Sequence, residues 1–176
     1  MFALSNTVQM LRNYGACFLR VPPVRKAYDN SSSCIADLPA IERIVSDAYS
    51  VYIERIGKPP GPMLDDYSGH VRNHGAWVAE VSDQVAGVLI LIDETDHLLL
   101  DNVAVDPSHH GRGIGRALLN FAEQEAVRRG YSEITLYTHE KMSENLAMYP
   151  ALGWVETGRR EQNGYQRVFF RKSLGD

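Results

Sequence analysis

Asp101-Asn102-Val103-Ala104-Val105-Asp106-Pro107-Ser108-His109-His110-Gly111-Arg112-Gly113-Ile114-Gly115-Arg116-Ala117-Leu118-Leu119 is the stretch on which the reading of this chain turns. The run from Leu98 to Val105 has strand character, Asp106-Pro107 ends it, and three glycines then lead into a helix. Ile114, Ala117, Leu118, Phe121 and Ala122 recur at i, i+3, i+4, i+7 and i+8, a single apolar stripe. Arg128 and Arg129 suit the negative end of that helix, and Gly130 suits a left-handed cap. A helix start leaves backbone N–H groups unpaired and carries partial positive charge, so the turn is built to receive an anion. Glycine at 111, 113 and 115 removes side chains that would keep a diphosphate away, and Arg112 and Arg116 add positive charge beside it.

Two nucleotide readings weaken on inspection. A P-loop needs Gly-Lys-Ser/Thr after its spacer, which is lacking here, and the dinucleotide fingerprint needs glycine where Arg116 stands. The dinucleotide unit also belongs to a doubly wound parallel sheet, whereas this chain shows hairpin chemistry on both sides of the central unit. Before it, Trp77, Ala79 and Val81 alternate with other residues, Asp83-Gln84 makes a tight connection, and Val85 to Ile92 reads as a buried strand. After it come a strand from Glu133 to Thr138, a short helix from about Glu144, and a hairpin. Asn163-Gly164 joins Glu156–Glu161 to Gln166–Arg171 in that hairpin. The expected class is α/β (α+β): a mixed sheet packed by helices.

Further upstream, Asp37 is placed to cap a helix with Pro39 near its start. Ile41, Ile44, Val45, Ala48, Tyr49 and Tyr52 carry its apolar face until Gly57 stops it. Leu64 to Asn73 reads as a second, shorter helix. Ala16 to Val21 has the character of a short strand, but residues 1–23 otherwise read as an extension of uncertain structure, leaving 24–176 as one domain.

The whole chain has 176 residues, a net charge of −4, 44% hydrophobic and 23% charged residues, which is ordinary for a globular domain. No apolar run spans a bilayer, and an acid excess argues against nucleic-acid binding. The first residues resemble no secretory signal, and Cys17 and Cys34 supply neither a disulfide framework nor a Cys-x-x-Cys ligand pair. A reducing, cytoplasmic setting is therefore expected. His70 and His74 have ligand-like spacing but no third donor is evident, so no metal is expected. Trp77 and Trp154 read as core aromatics, His109 and His139 as loop residues, and Phe169 and Phe170 as opposite faces of the last strand.

Asn102 to Leu119 resembles the acetyl-CoA motif of the GNAT superfamily of N-acetyltransferases, Gln/Arg-x-x-Gly-x-Gly/Ala. Its positions fall on His110, Gly111, Arg112, Gly113, Ile114 and Gly115, with His110 standing where Gln or Arg is usual. Asn145-Leu146-Ala147-Met148-Tyr149-Pro150-Ala151-Leu152-Gly153-Trp154 is similar to the family's later Asn…Leu-Tyr-x-x-Leu-Gly-Phe element. The resemblance implies a mostly antiparallel sheet in which two parallel strands splay apart, one ending at Val105 and the other being Glu133–Thr138. It implies that acetyl-CoA lies between them, held by the backbone of Val103, Ala104 and Val105, by the turn His110 to Arg116, and by Asn145. It further implies direct attack by a primary amine on the thioester, of a small molecule or an exposed protein group, with an N–H near Val103 at the oxyanion. Tyr149 becomes the candidate general acid, since a phenol keeps its proton at neutral pH. Asp101 is the nearest carboxylate to act as base, sited by the sequence reading at the strand end. Glu80, Asp65, Asp66 and Tyr67 are further substrate-side candidates. Homodimerisation is the family's expectation. Pro150 should disturb the helix directly after the tyrosine. The competing class is a catalytically silent CoA-binding or sensing domain.

Overall fold

Why the run from Val85 to Ile92 is apolar without alternation is answered by two layers of helix. In the computed structural model, which describes residues 22–27 and 37–175, Leu89 and Leu91 enter one hydrophobic cluster while Val88 and Ile90 enter another on the opposite face. A strand covered on both faces has no polar side to show.

In chain order the elements are β1 (Val24–Lys26), α1 (Leu38–Ser50), α2 (Ile53–Ile56), a 3-10 turn (Gly61–Leu64), α3 (Tyr67–Arg72), β2 (Ala76–Val81), β3 (Gln84–Asp93) and β4 (Leu98–Val105). There follow a second 3-10 turn (Pro107–His109), α4 (Ile114–Arg128), β5 (Glu133–His139), α5 (Ser143–Ala151), β6 (Val155–Gln162) and β7 (Tyr165–Ser173). The seven strands form one sheet in the order β1-β2-β3-β4-β5-β7-β6. Neighbours are antiparallel except β4 and β5, which run parallel. This is the mixed, mostly antiparallel sheet with a parallel central pair that the sequence led us to expect.

On one face α4 lays its stripe against the sheet, with Ile114, Leu118 and Ala122 buried beside Leu89, Leu100 and Leu136. The helix comes close: a Cβ on Gly87 of β3 would stand 2.9 Å from Leu118 Cδ1 and 3.0 Å from Ile114 Cγ2. On the other face α1 and α3 cover the sheet through Ile41, Ile44, Val45, Tyr67 and Val71. No helix among the described residues is long and apolar enough to cross a membrane.

Several sequence expectations are corrected. The first helix does not run to Gly57; it stops at Ser50 and resumes for one turn at Ile53, with Gly57 at φ +89 closing that turn. Asp37 stands at the N-cap position, yet its carboxylate does not cap, because Arg25 of β1 takes both its oxygens at 2.7 and 3.1 Å. Leu64 to Asn73 is divided, since Asp66 caps a new helix by accepting from the Gly69 amide. The tight connection is Ser82-Asp83 rather than Asp83-Gln84, both residues having positive φ as a two-residue hairpin requires. His139 is the last residue of β5, not a loop residue. Asn163 and Gly164 do form the final turn, at φ +54 and +75. Pro150 falls within α5, whose end at Ala151 one residue later limits the disturbance. The expected strand at Ala16 to Val21 and both cysteines lie outside the described residues.

Candidate active site

One extra residue in β4 shapes the site. Ile90 pairs with Asn102 and Leu91 with Leu100, so Asp101 bulges from the ladder in the middle of the strand, not at its end. The bulge exchanges the two faces of β4. Before it, Leu98 and Leu100 enter the α4 cluster; beyond it, Val103 and Val105 pack there, while Ala104 enters the α1 and α3 cluster. On the other edge, the parallel pairing with β5 ends at Leu100 and Leu136. From Asp101 onward, that edge of β4 has no strand partner among the described residues.

A cleft of about 490 Å3 occupies the gap, lined by Val103, Ala104 and Val105, by the glycine turn, and by Asn145, Met148 and Tyr149 of α5. Gly111 and Gly113 adopt φ +74 and +79, and a Cβ at either would meet no atom within 4 Å. The turn is therefore open, and its glycines serve the backbone conformation and approach of a ligand rather than packing. The first hydrogen bond of the α4 ladder runs from the Ala117 amide to the Gly113 carbonyl at 3.0 Å, so the amides of Ile114, Gly115 and Arg116 precede it. His110, Gly111, Gly113, Ile114, Gly115 and Arg116 all line the cleft; Arg112 is exposed and does not. The His110 Nε2 donates to the Val105 carbonyl at 3.2 Å, tying the turn to the strand it follows. Asp106 secures the same turn. Its carboxylate accepts from the Ser108 hydroxyl and amide at 2.6 and 2.9 Å and from Arg43 at 2.8 Å, which holds its pKa down at about 2. Sequence reasoning took Asp106 only as a strand terminator, although Asp-Pro-Ser is a sequence cue for such a turn.

Across Tyr149 lies a second space. A cavity of about 50 Å3 is lined by Tyr49, Asp101, Asn102, Tyr137, Tyr149 and Arg167, among others. It shares Asp101, Tyr137, Tyr165 and Arg167 with a wider pocket of about 390 Å3 that also takes in Asp65 and His70. Tyr149, 4% exposed, borders both the cleft and the small cavity. Its ring packs against Trp154 and Phe170 with centroids 6.0 and 5.5 Å away, and burial raises its pKa above that of a free phenol. Asn145 borders the same two spaces and donates from Nδ2 to the Thr138 hydroxyl at 3.0 Å.

The bulged Asp101 accepts a short hydrogen bond from the Tyr137 hydroxyl, and its half-buried carboxyl is pushed up in pKa by desolvation. Asn102, its neighbour, is buried and bonded through both amide atoms: it accepts from Tyr49 at 2.7 Å and donates to the Tyr67 hydroxyl at 2.8 Å. Tyr67 in turn donates to the Pro62 carbonyl at 2.8 Å, fixing the loop that walls these two pockets.

Of the other substrate-side candidates, Asp65 reaches the pocket, Asp66 is used as a helix cap, Tyr67 holds Asn102, and Glu80 pairs with Arg25 and lines none of these spaces. His74 is exposed and lies beyond the end of α3, outside the cluster that His70 joins. The donor atoms of Asp65, His70 and Asp101 lie within 4.8 Å of one another, so among the described residues these could converge on a cation. Tyr49 reads from sequence only as part of a helix's apolar face, and nothing in the local pattern of Tyr137 or Arg167 distinguishes them from packing residues.

With a splayed parallel pair, a glycine turn at a helix start and a tyrosine between two cavities, the architecture matches known proteins. The chain belongs to the acetyltransferase (GNAT) family, whose model matches residues 38–154. It is 34% identical over 130 residues to N-acetyltransferase 8B of Homo sapiens, covering 69% of this chain and 56% of that protein. In general it spans about half the length of the curated relatives it matches. The fold superposes on the ribosomal-protein-S18-alanine N-acetyltransferase of Escherichia coli with a TM-score of 0.65 at 21% identity, covering 88% of this chain and 94% of that one. It also superposes on the PaiA N-acetyltransferase of Thermoplasma acidophilum, solved in complex with coenzyme A, with a TM-score of 0.63 at 17% identity, covering 86% and 98%.

Proposed function

We propose that this protein transfers an acetyl group from acetyl-CoA to a primary amine, on a small molecule or exposed on a protein, by direct attack in a ternary complex. The observation that carries the reading is the position of Tyr149, on the wall common to the cleft and to the cavity beside Asp101. The open glycine turn fits a diphosphate: amides ahead of the helix ladder, Cβ-free approach at Gly111 and Gly113, and Arg116 alongside. Acetyl-CoA, when bound, supplies an activated acyl carbon and a thiolate leaving group. The unpaired edge of β4 near Val103 offers N–H groups for negative charge developing on the thioester oxygen. Asp101 takes a proton from the incoming ammonium, its burial making it a better base than a solvated aspartate. Tyr149 gives its proton to the departing sulfur, a task suited to a phenol that burial keeps protonated. Asn145 sits one turn earlier on the same helix and faces the same two spaces.

Thiol release from acetyl-CoA across a panel of amines and peptides tests this reading. Turnover with at least one amine is the expected result. Tight acetyl-CoA binding with no turnover across a broad panel would instead identify a sensing domain.

A further inference from the structure

Arginine in this protein is usually matched with an acid: most of its guanidinium groups among the described residues lie within 4.0 Å of a carboxylate. Those that have no such partner among the described residues are Arg112 and Arg116, beside the glycine turn, and Arg160 and Arg167, on the last hairpin. The first pair flanks the turn that suits a diphosphate. Arg167 lines both the small cavity and the wide pocket on the far side of Tyr149. A cation facing a pocket with no acid of its own is a group kept for an anion that arrives from outside.

Its position relative to Asp101 is set by one ring. The Arg167 guanidinium lies over Tyr137, 3.8 Å from the ring centre, and the hydroxyl of that ring donates to Asp101. A single phenol therefore separates the cation from the carboxylate that would receive the acceptor's amine. Among the described residues Arg167 makes one hydrogen bond, from Nη1 to Gln162 Oε1 at 3.2 Å, which leaves most of its donors uncommitted. Arg160 stands directly opposite it on β6 and rests on Phe169, 3.6 Å from the ring centre. Like charges facing each other across an antiparallel pair cost stability, and an anion held on this face would relieve that cost. Asp65, the other carboxylate of the wide pocket, is engaged by His70 Nε2 at 3.0 Å.

We propose that the acceptor is a free amino acid, its amine held at Asp101 and its carboxylate held by Arg167, which makes Arg167 a specificity-determining residue. The inference rests on the acetyl-transfer reading and names the acceptor class for it. The planar fork of arginine matches the two oxygens of a carboxylate. A phosphate dianion would instead bring two negative charges toward Asp101 and Asp65. A zwitterion adds no net charge to the pocket. The short separation across the Tyr137 ring suits an amine and a carboxylate joined through one or two carbons. A lysine side chain or a chain terminus on a protein offers no carboxylate at that distance from its amine. The rest of the acceptor extends into the wide pocket, where Pro62, Leu64 and Ile92 present apolar surface.

Thiol release from acetyl-CoA with matched acceptors tests this, each amino acid being run beside its amide and its decarboxylated amine, with phosphoethanolamine added. The enzymes are the wild type, Arg167→Gln, Arg167→Lys and Arg160→Gln, each checked by a melting curve. We expect the preferred amino acid to exceed its amide and its amine by at least about 100-fold in kcat/KM. Arg167→Gln should erase that margin by raising acceptor KM, with kcat/KM for the decarboxylated amine within about threefold of wild type. Arg167→Lys, which keeps the charge and loses the fork, should retain part of the margin. Arg160→Gln should keep it, since Arg160 lines neither space. Wild type that uses amides or decarboxylated amines as well as amino acids overturns the proposal. So does an Arg167→Gln loss equal for all acceptors, a margin lost equally in Arg160→Gln, or phosphoethanolamine surpassing every amino acid. Each of those results includes turnover of some amine and leaves acetyl transfer standing. A wild type silent with every acceptor removes both.

Discussion

Replacing Tyr149 with phenylalanine deletes one oxygen and separates chemistry from packing. The ring contacts with Trp154 and Phe170 survive. Among the described residues no hydrogen bond holds the hydroxyl, which borders two cavities, so its loss breaks none. The change in stability should stay within about 0.5 kcal/mol, a shift in melting temperature below about 2 °C for a chain of this size. Loss of a general acid is a different scale of effect, about 10²- to 10⁴-fold, or roughly 3–5 kcal/mol in the barrier. The expected outcome is a kcat at least about 100-fold lower at pH 7, with acetyl-CoA affinity within about twofold of wild type. Because burial raises the phenol's pKa, the wild type should show no loss of rate attributable to Tyr149 below about pH 10. Thiol release, calorimetric titration of acetyl-CoA and a melting curve on the same preparations decide the matter. A kcat within threefold of wild type would make Tyr149 a wall residue. A fall in kcat matched by an equal loss of acetyl-CoA binding would refute the assignment as well.

Three other substitutions probe the frame around the site. Gly87→Ala forces a Cβ to within 3.0 Å of both Leu118 and Ile114, and should lower stability by about 1–3 kcal/mol in urea unfolding. Gly113→Ala meets no neighbour, so its cost is the left-handed backbone at φ +79, about 1–2 kcal/mol, with weaker acetyl-CoA binding by titration. Asp106→Ala should destabilise by about 1–2 kcal/mol at pH 7. With a folded pKa of about 2, Asp106 contributes fully above its unfolded value near 3.9 and loses that contribution as pH falls toward 2. Wild type and variant should therefore converge in stability near pH 2; a constant difference would assign the effect to packing alone.

The parts of the fold legible in the sequence are those written in local pattern. Leu98 to Val105 was bounded to the residue, the stripe Ile114, Leu118 and Ala122 is buried as its spacing requires, and Asn163-Gly164 makes the last turn. Helix boundaries fared worse where a side chain had two suitors. Asp37 has the chemistry of a cap, but an arginine from a distant strand outbids the local amides, since a charge-assisted pair is stronger than a neutral one.

Local order alone thus determined the strand, the anion-receiving turn and the helix after it, because glycine, proline and period-3.6 patterns act through neighbours in the chain. Only tertiary structure decided that Asp101 bulges. Both faces of β4 are covered, so burial alternates unbroken through the bulge while the faces change places, and no sequence period records the exchange. Tertiary structure likewise brought Asp65, His70, Tyr137 and Arg167 around that carboxylate, through strand pairings and a helix packing whose partners lie far apart along the chain.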